Sequence, residues 1–371
     1  MNRKICVGIL FGGRSGEHDV SLQSAASVIK ALDPAKYEIV LIGITREGHW
    51  RAGLGALQPL VEVLERGEPV TPSVDPTGPK LLPLAPSGLS ANSLPSLDVI
   101  FPVLHGTFGE DGTVQGLLEL ADVPYVGAGV LASAAGMDKD VMKRLFRDAH
   151  LPIVPWELIL RAGWEKHPGA VRKRIEKGLR YPLFVKPVNL GSSVGISKVR
   201  NRRELADALS LAARYDRKIL VENGIDAREI ECSVLGNDHP QASVPGEVVP
   251  INEFYDYEAK YLKEGSQLIM PAKLTARQTK QVQEVAIRSF QAVDGAGMAR
   301  VDFLLDRKTG KVYLNEINTI PGFTSISMYP KLWEASGIHY PQLLDRLIEL
   351  ALERQREKSR TQFTFSPKVH N

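Results

Sequence analysis

ARVDFLLDRKTGKVYLNEINTIPGFTSIS, residues 299–327, is the stretch that decides the fold. Residues 299–305 alternate polar and apolar, the period of a half-buried strand, with Arg300 and Asp302 on one face. Residues 306–310 have the composition of a turn. Residues 311–318 read as a second strand, with Glu316 and Asn318 sharing a face. The loop is odd in length, so in a simple hairpin Arg300, Asp302, Glu316 and Asn318 point the same way. Two carboxylates and an amide then converge beside one guanidinium. Such hard oxygen donors suit Mg²⁺ carrying phosphate oxygens. The plainer reading is a surface salt bridge across a hairpin. Against it, Asn318 adds no charge that such a bridge needs, and a Pro-Gly turn with a Thr/Ser cluster follows at once.

Working outward, residues 275–293 precede the hairpin as an amphipathic helix and residues 340–356 close the chain as another. At the other end, residues 4–10 form a buried strand, Gly12-Gly13-Arg14-Ser15-Gly16 a tight loop, 17–32 a helix and 37–44 the next strand. This strand-loop-helix-strand order begins a doubly wound parallel sheet. Residues 50–97 are punctuated by Pro and Gly, which predicts a loop-rich insertion with short pieces of strand. A buried strand at 97–104 follows, then a short helix at 113–121, a last strand at 125–127, and a helix from Val130 through Lys139 to Phe146. In the middle of the chain, 180–186 and 195–199 read as strands around a loop at 187–194. Residues 218–221 read as a buried strand and 229–235 as an edge strand, and 252–267 as a long irregular loop.

Composition sets the class. The chain has 371 residues, 43% hydrophobic and 24% charged, which suits a globular protein of two or three domains. A net charge of +3 without a long basic run gives no basis for a nucleic-acid partner. The two cysteines, Cys6 and Cys232, lie in apolar runs and imply no disulfide framework. The apolar run near the N-terminus reads as a first strand rather than a signal segment, and no stretch is long enough to span a membrane. A cytoplasmic protein is expected.

Further candidates for chemistry lie upstream. Lys186-Pro187 ends a strand and Gly191-Ser192-Ser193-Val194-Gly195 follows; a loop of small residues exposes N–H groups and hydroxyls that can wrap phosphate oxygens. Lys139 and Lys186 supply point charges. Residues 218–225 run from an apolar strand into a polar hinge, where backbone groups can meet an adenine edge, and Glu229 can accept ribose hydroxyls. There is no P-loop signature, and the first Gly loop lacks dinucleotide spacing.

Several motifs recur in one order: Gly12-Gly13-Arg14-Ser15-Gly16-Glu17-His18-Asp19-Val20-Ser21, His105-Gly106 with Gly109-Glu110-Asp111-Gly112, and Met137-Asp138-Lys139. They continue with Lys186-Pro187 and its small-residue loop, Arg300-Val301-Asp302-Phe303, and Asn315-Glu316-Ile317-Asn318-Thr319 with Pro321-Gly322. Taken together over nearly the whole chain, the sequence resembles the D-alanine–D-alanine ligases of the ATP-grasp superfamily.

The resemblance implies a three-part architecture: an N-terminal doubly wound α/β substrate domain (1–138), a central ATP-grasp subdomain with the phosphate loop (139–228) and a C-terminal α+β subdomain with the metal hairpin and lid (229–371). It implies ATP-dependent joining of two D-alanines through an acyl phosphate, for peptidoglycan synthesis. Asp302, Glu316 and Asn318 would hold two Mg²⁺ ions, with Mn²⁺ able to replace them. Lys139, Lys186, Ser192 and Ser193 would clamp phosphates, and Glu222, the 223–225 hinge with Ile225, and Glu229 would hold the nucleoside. Arg300 and the N–H of Gly322 would stabilise the tetrahedral oxyanion. Glu17 would face the first substrate's ammonium and join Ser192 and Tyr261 in closing a lid at 252–267, with Lys260 beside the nucleotide. His105 would lie near the first D-alanine, and Ser327 and Met328 would bind the second substrate's carboxylate. The Lys260-Tyr261 pair matches relatives that use an amine, not a hydroxyl, as nucleophile. A homodimer is expected on the same ground.

Overall fold

The computed structural model describes residues 3–53, 58–84, 95–191, 194–249, 267–324 and 326–364, arranged around three sheets. The first contains β1 (Ile5–Gly12), β2 (Tyr37–Ile44), β3 (Trp50–Ala52), β4 (Glu68–Pro72), β5 (Leu81–Pro83) and β6 (Val99–Pro102), in the order β5-β4-β3-β2-β1-β6. β1 pairs parallel with both β2 and β6, as the strand-helix-strand pattern predicts. The chain segment between β2 and β6 extends this core with three antiparallel strands, so the parallel part is only three strands wide. Its short strands are those expected of the insertion; residues 54–57 and 85–94 lie outside the described residues. The strand expected at 125–127 is reduced to a single bridge between Tyr125 and Ile100.

β1 ends where helix α1 (His18–Ala31) begins. Gly12 makes the turn with a φ of +89°, and a Cβ there would lie 2.2 Å from the Ile44 carbonyl oxygen. Only glycine tolerates that approach and that backbone region together. The helix expected to run from Val130 through Phe146 is two helices, Val130–Met137 and Lys139–Asp148. Asp138 stops the first by going extended, and its carboxylate accepts from the N–H groups of Asp140 and Val141, capping the second.

The second sheet is antiparallel, ordered β7-β10-β8-β9 from β7 (Trp156–Leu160), β8 (Leu183–Pro187), β9 (Ser197–Val199) and β10 (Lys218–Asn223). The third holds β11 (Ala227–Gly236), β12 (Gln241–Ala242), β13 (Gly246–Val249), β14 (Gln267–Ile269), β15 (Gly297–Asp306) and β16 (Val312–Asn318), with path β14-β13-β11-β15-β16 and β12 on β11. β11, expected at an edge, is central: it pairs over ten residues with β15 and again with β13, and its last seven residues are buried. The polar residues that suggested an edge are Glu229 and Glu231, which face the site described below instead of solvent.

Helix Ala276–Ala292 packs under the third sheet, started by a capping box between Thr275 and Gln278. The last helix, Tyr340–Lys358, places Leu343, Leu344, Leu347 and Ile348 on one stripe. That stripe packs against Val7, Ile9, Phe11 and Val28 of the first sheet and α1, so the C-terminus completes the N-terminal core. Burying each such side chain contributes about 1.5–3 kcal/mol. Cys6 and Cys232 are buried thiols; burial pushes them up to about 11 and about 12, so neither is a nucleophile at neutral pH. Among the described residues no helix is long and apolar enough to cross a membrane.

Candidate active site

β15 and β16 bring the four hairpin side chains together. Arg300 pairs with Asn318 and Asp302 with Glu316 across the ladder, all on one face. The route differs from a simple hairpin. Leu305 pairs with Val312, which encloses an even turn and by itself would reverse one strand's faces. The register then shifts between Asp302 and Phe303, where Leu314 and Glu316 pair on either side of an unpaired Asn315. This bulge turns Glu316 and Asn318 back to the face of Asp302.

Arg300 donates to both Asp302 oxygens at 2.7 Å and lies 3.1 Å from Glu231 on the neighbouring β11. The Asn318 side-chain amide donates to Asp302 at 3.0 Å. Lys139, at the start of its helix, lies 3.8 Å from Glu316 and donates to the Leu190 carbonyl at 2.9 Å. Glu316 and Lys139 therefore join the hairpin to the end of the loop after β8. Asp302, Glu316 and Asn318 offer hard oxygen atoms within one cluster of compensating charge, a donor set that fits Mg²⁺. Among the described residues no group of three or more His, Cys, Asp or Glu side chains is placed to hold a metal.

Behind this face, Lys186 of β8 makes a close ion pair with Glu222 of β10, the strand beside it. Lys143, one helical turn past Lys139, reaches the other Glu222 oxygen at 2.8 Å, with both groups almost fully buried. Burial pushes the Glu222 carboxyl up, but the two ammonium groups overcome it and bring it down to about 2. Burial pulls Lys186 down; Glu222, Glu316 and Glu229 more than offset that, and its pKa is raised. Glu229 thus stands near Lys186. Ile225 lies in the turn between β10 and β11, where Gly224 N–H is held by the Pro182 carbonyl at 2.7 Å.

A third group comes from the N-terminal sheet. Glu17 is buried at the N-terminus of α1, and its N–H donates to Ser15 Oγ at 3.1 Å. Ser15 Oγ donates to the His105 carbonyl at 2.6 Å, tying the two glycine-rich motifs together. The His105 ring is also buried; burial pushes its pKa down, Glu17 pushes it up and Arg300 pushes it down, so it is neutral. A Cβ on Gly191 would lie 3.2 Å from Glu17 Oε2, which sets the start of the small-residue loop beside this carboxylate. Ser192, Ser193, Lys260 and Tyr261 lie outside the described residues.

Gly322 follows β16, and a Cβ there would meet Ser327 Oγ at 2.7 Å. Ser327 accepts from Thr324 N–H at 3.0 Å and directly precedes helix Met328–Ala335 without a side-chain capping bond to it. Met328 is the first residue of that helix, so its N–H has no partner within the helix and is available to an anion.

Three residues missed by sequence reasoning belong to the cluster. Glu231 shares a strand face with Glu229 by the two-residue period, and Lys143 shares a helix face with Lys139 by the four-residue spacing; both signals were present. Glu110 accepts from Gly106 N–H at 3.0 Å, and burial together with the Glu17 carboxylate pushes it up to about 8.

Comparisons with known proteins show the family. The family description "D-ala D-ala ligase N-terminus" matches residues 6–128 and "D-ala D-ala ligase C-terminus" residues 145–349. The chain belongs to the D-alanine–D-alanine ligase family, whose fold is the ATP-grasp. It is 55% identical over 358 residues to a D-alanine–D-alanine ligase of Heliobacterium modesticaldum, covering 96% of this chain and 97% of the relative. A ligase of Coxiella burnetii has a solved structure with a TM-score of 0.85, 41% identity and 97% coverage of both chains. The VanG D-Ala:D-Ser ligase of Enterococcus faecalis has a TM-score of 0.83 at 37% identity, covering 94% of this chain and 100% of that one.

Proposed function

We propose that the face of Arg300, Asp302, Glu316 and Asn318 is where ATP activates the first D-alanine in a D-alanine–D-alanine ligase. The activity is that of the family: ATP-dependent joining of two D-alanines to D-alanyl-D-alanine through an acyl phosphate, for peptidoglycan. A carboxylate is a poor electrophile because attack would have to expel oxide. One of its oxygens attacks the γ-phosphorus of ATP, ADP leaves, and the acyl carbon now carries a phosphate leaving group. The amine of the second D-alanine attacks that carbon, loses its proton, and inorganic phosphate departs.

Phosphoryl transfer needs positioning and charge neutralisation more than covalent help. Lys139 and Lys186, with Ser192 and Ser193, hold the phosphates. Asp302, Glu316 and Asn318 would hold two Mg²⁺ ions, which would supply charge neutralisation for the phosphates. Glu222, Ile225, Lys260 and Glu229 hold the nucleoside. In the second step Arg300 and Gly322 N–H receive the oxyanion, a contribution of about 3 kcal/mol for each donor. Glu17 and His105 hold the first D-alanine, and Ser327 with Met328 N–H hold the carboxylate of the second. Glu17, Ser192 and Tyr261 close the 252–267 lid, which keeps water from the acyl phosphate.

The observation that carries this reading is the shared strand face of Asp302, Glu316 and Asn318, reached by Lys139. The likeness to a D-Ala:D-Ser ligase makes the second substrate the point to test. With D-alanine plus D-serine or D-lactate at neutral pH, D-alanyl-D-alanine should predominate among the products; a predominance of the D-alanyl-D-lactate ester would overturn the amine preference. The protein is expected in the cytoplasm as a homodimer, a state supported by Leu120, Val130 and Leu131, which are exposed on helix Thr113–Leu120 and helix Val130–Met137.

A further inference from the structure

Helix α1 presents Ser21, Ser24 and Ser27 at three-residue spacing, and each hydroxyl leaves the helix to hold a different part of the chain. Ser21 Oγ donates to the Val103 carbonyl and accepts from Gly12 N–H at 2.8 Å, joining the ends of β6 and β1. Ser27 Oγ donates to the Tyr340 hydroxyl at 3.2 Å, and Tyr340 in turn donates to the Phe323 carbonyl at 3.1 Å. Ser24 is fully buried between two parts of the site that come from opposite ends of the chain.

The hydrogens around Ser24 can be assigned from their partners. The Ile320 carbonyl only accepts, so His105 Nδ1, 3.1 Å away, carries the ring proton. The neutral ring then has Nε2 as its acceptor, 3.1 Å from Ser24 Oγ. Ser24 therefore donates to His105 and uses its lone pair to accept from Phe323 N–H at 3.2 Å. One hydroxyl closes a circuit that holds both ends of the turn Ile320-Pro321-Gly322-Phe323. Phe323 itself is locked in the core, its ring edge-on to Phe101 at 5.8 Å. A turn held at both ends and packed at one side leaves the Gly322 N–H a single direction.

We propose that Ser24 is a positioning residue for the second chemical step: it aims the Gly322 N–H at the developing oxyanion by fixing the 320–323 turn against His105. Ser24 is fully buried and acts through His105 and Phe323. The proposal rests on the ligase reading and on the oxyanion role of Gly322. Displacing such a donor by even about 1 Å costs on the order of 10²-fold in rate. Phosphoryl transfer itself uses the lysines and the hairpin face, and Ser24 bears on that step only through His105 at the first D-alanine, so at saturating D-alanine the two steps should separate.

The test is rapid quench on the full-length protein with Mg²⁺, ATP and D-alanine, following ADP and dipeptide in the first turnover. In wild type the two should form together, one for one. Ser24→Ala should form ADP in a burst at near the wild-type rate while dipeptide formation falls at least tenfold, and Ser24→Thr, which keeps the hydroxyl, should recover most of the loss. Tyr340→Phe frees the Phe323 carbonyl and should show the same split at about threefold; it carries the test should Ser24→Ala not fold. ADP and dipeptide falling in parallel, or neither falling, would overturn the proposal. The ligase reading fails separately, on wild-type protein that makes no ADP in response to D-alanine.

Discussion

The hairpin face and the substrate corner are built in opposite ways. Arg300, Asp302, Glu316 and Asn318 come from two adjacent strands within nineteen residues, and ladder register alone places them. Glu17, His105 and Gly322 come from three loops spread over the length of the chain. They meet because the Ser15 hydroxyl ties Glu17 N–H to the His105 carbonyl and the Ser24 hydroxyl ties the His105 ring to Phe323 N–H. A site held by a ladder tolerates loss of a side chain without moving its neighbours. A site held by single buried hydroxyls does not, because each lost bond leaves a buried polar group unpaired.

The sharpest way to test that contrast is on the hairpin. Glu316→Gln should cut D-alanine-dependent phosphate release by about 10³-fold, the scale of a lost electrostatic contact in a dry site, while thermal unfolding stays near wild type. A matching collapse in stability would mean that the face holds the fold and not the nucleotide. In the corner, Gly322→Ala should cost about 10²-fold in dipeptide formation, because the added methyl meets Ser327 Oγ and shifts the turn. Unchanged turnover in that variant would remove Gly322 from the oxyanion site.

Behind the hairpin face lies the Lys143–Glu222–Lys186 cluster. Lys143→Met leaves Glu222 with one of its two buried partners and should destabilise the protein by up to about 3 kcal/mol, read by denaturant unfolding. A further effect is on pH dependence. Glu110 titrates near 8 in the folded protein against an ordinary 4.5, so between those values the fold keeps a proton that the unfolded chain has lost. Its contribution to stability is present below about pH 4.5 and falls as the pH rises through 8. Glu110→Gln, without substrates, should flatten the decline in stability from pH 5 to pH 8; an unchanged slope would remove Glu110 as its source.

The same contrast explains what was legible in the sequence. The hairpin residues follow from period-two alternation, although the true turn is one residue longer and an unpaired Asn315 restores the faces. Bulges leave no periodic mark, so the right face was reached by a simpler path than the chain takes. β11 was misplaced at an edge because charged residues facing a polar site look like residues facing water. The break at Asp138 is written as an N-cap, but continuous apolar spacing on either side hides it. The corner was readable only through its likeness to a known family: nothing in local pattern says that Ser24 meets Phe323, since the two are 299 residues apart.

The most direct measurement of the central claim is Mn²⁺ binding in the presence of ADP, counted by electron paramagnetic resonance in wild type and Glu316→Gln. The face described here predicts two ions per chain in wild type and loss of at least one in the variant. Equal binding in both proteins would contradict it.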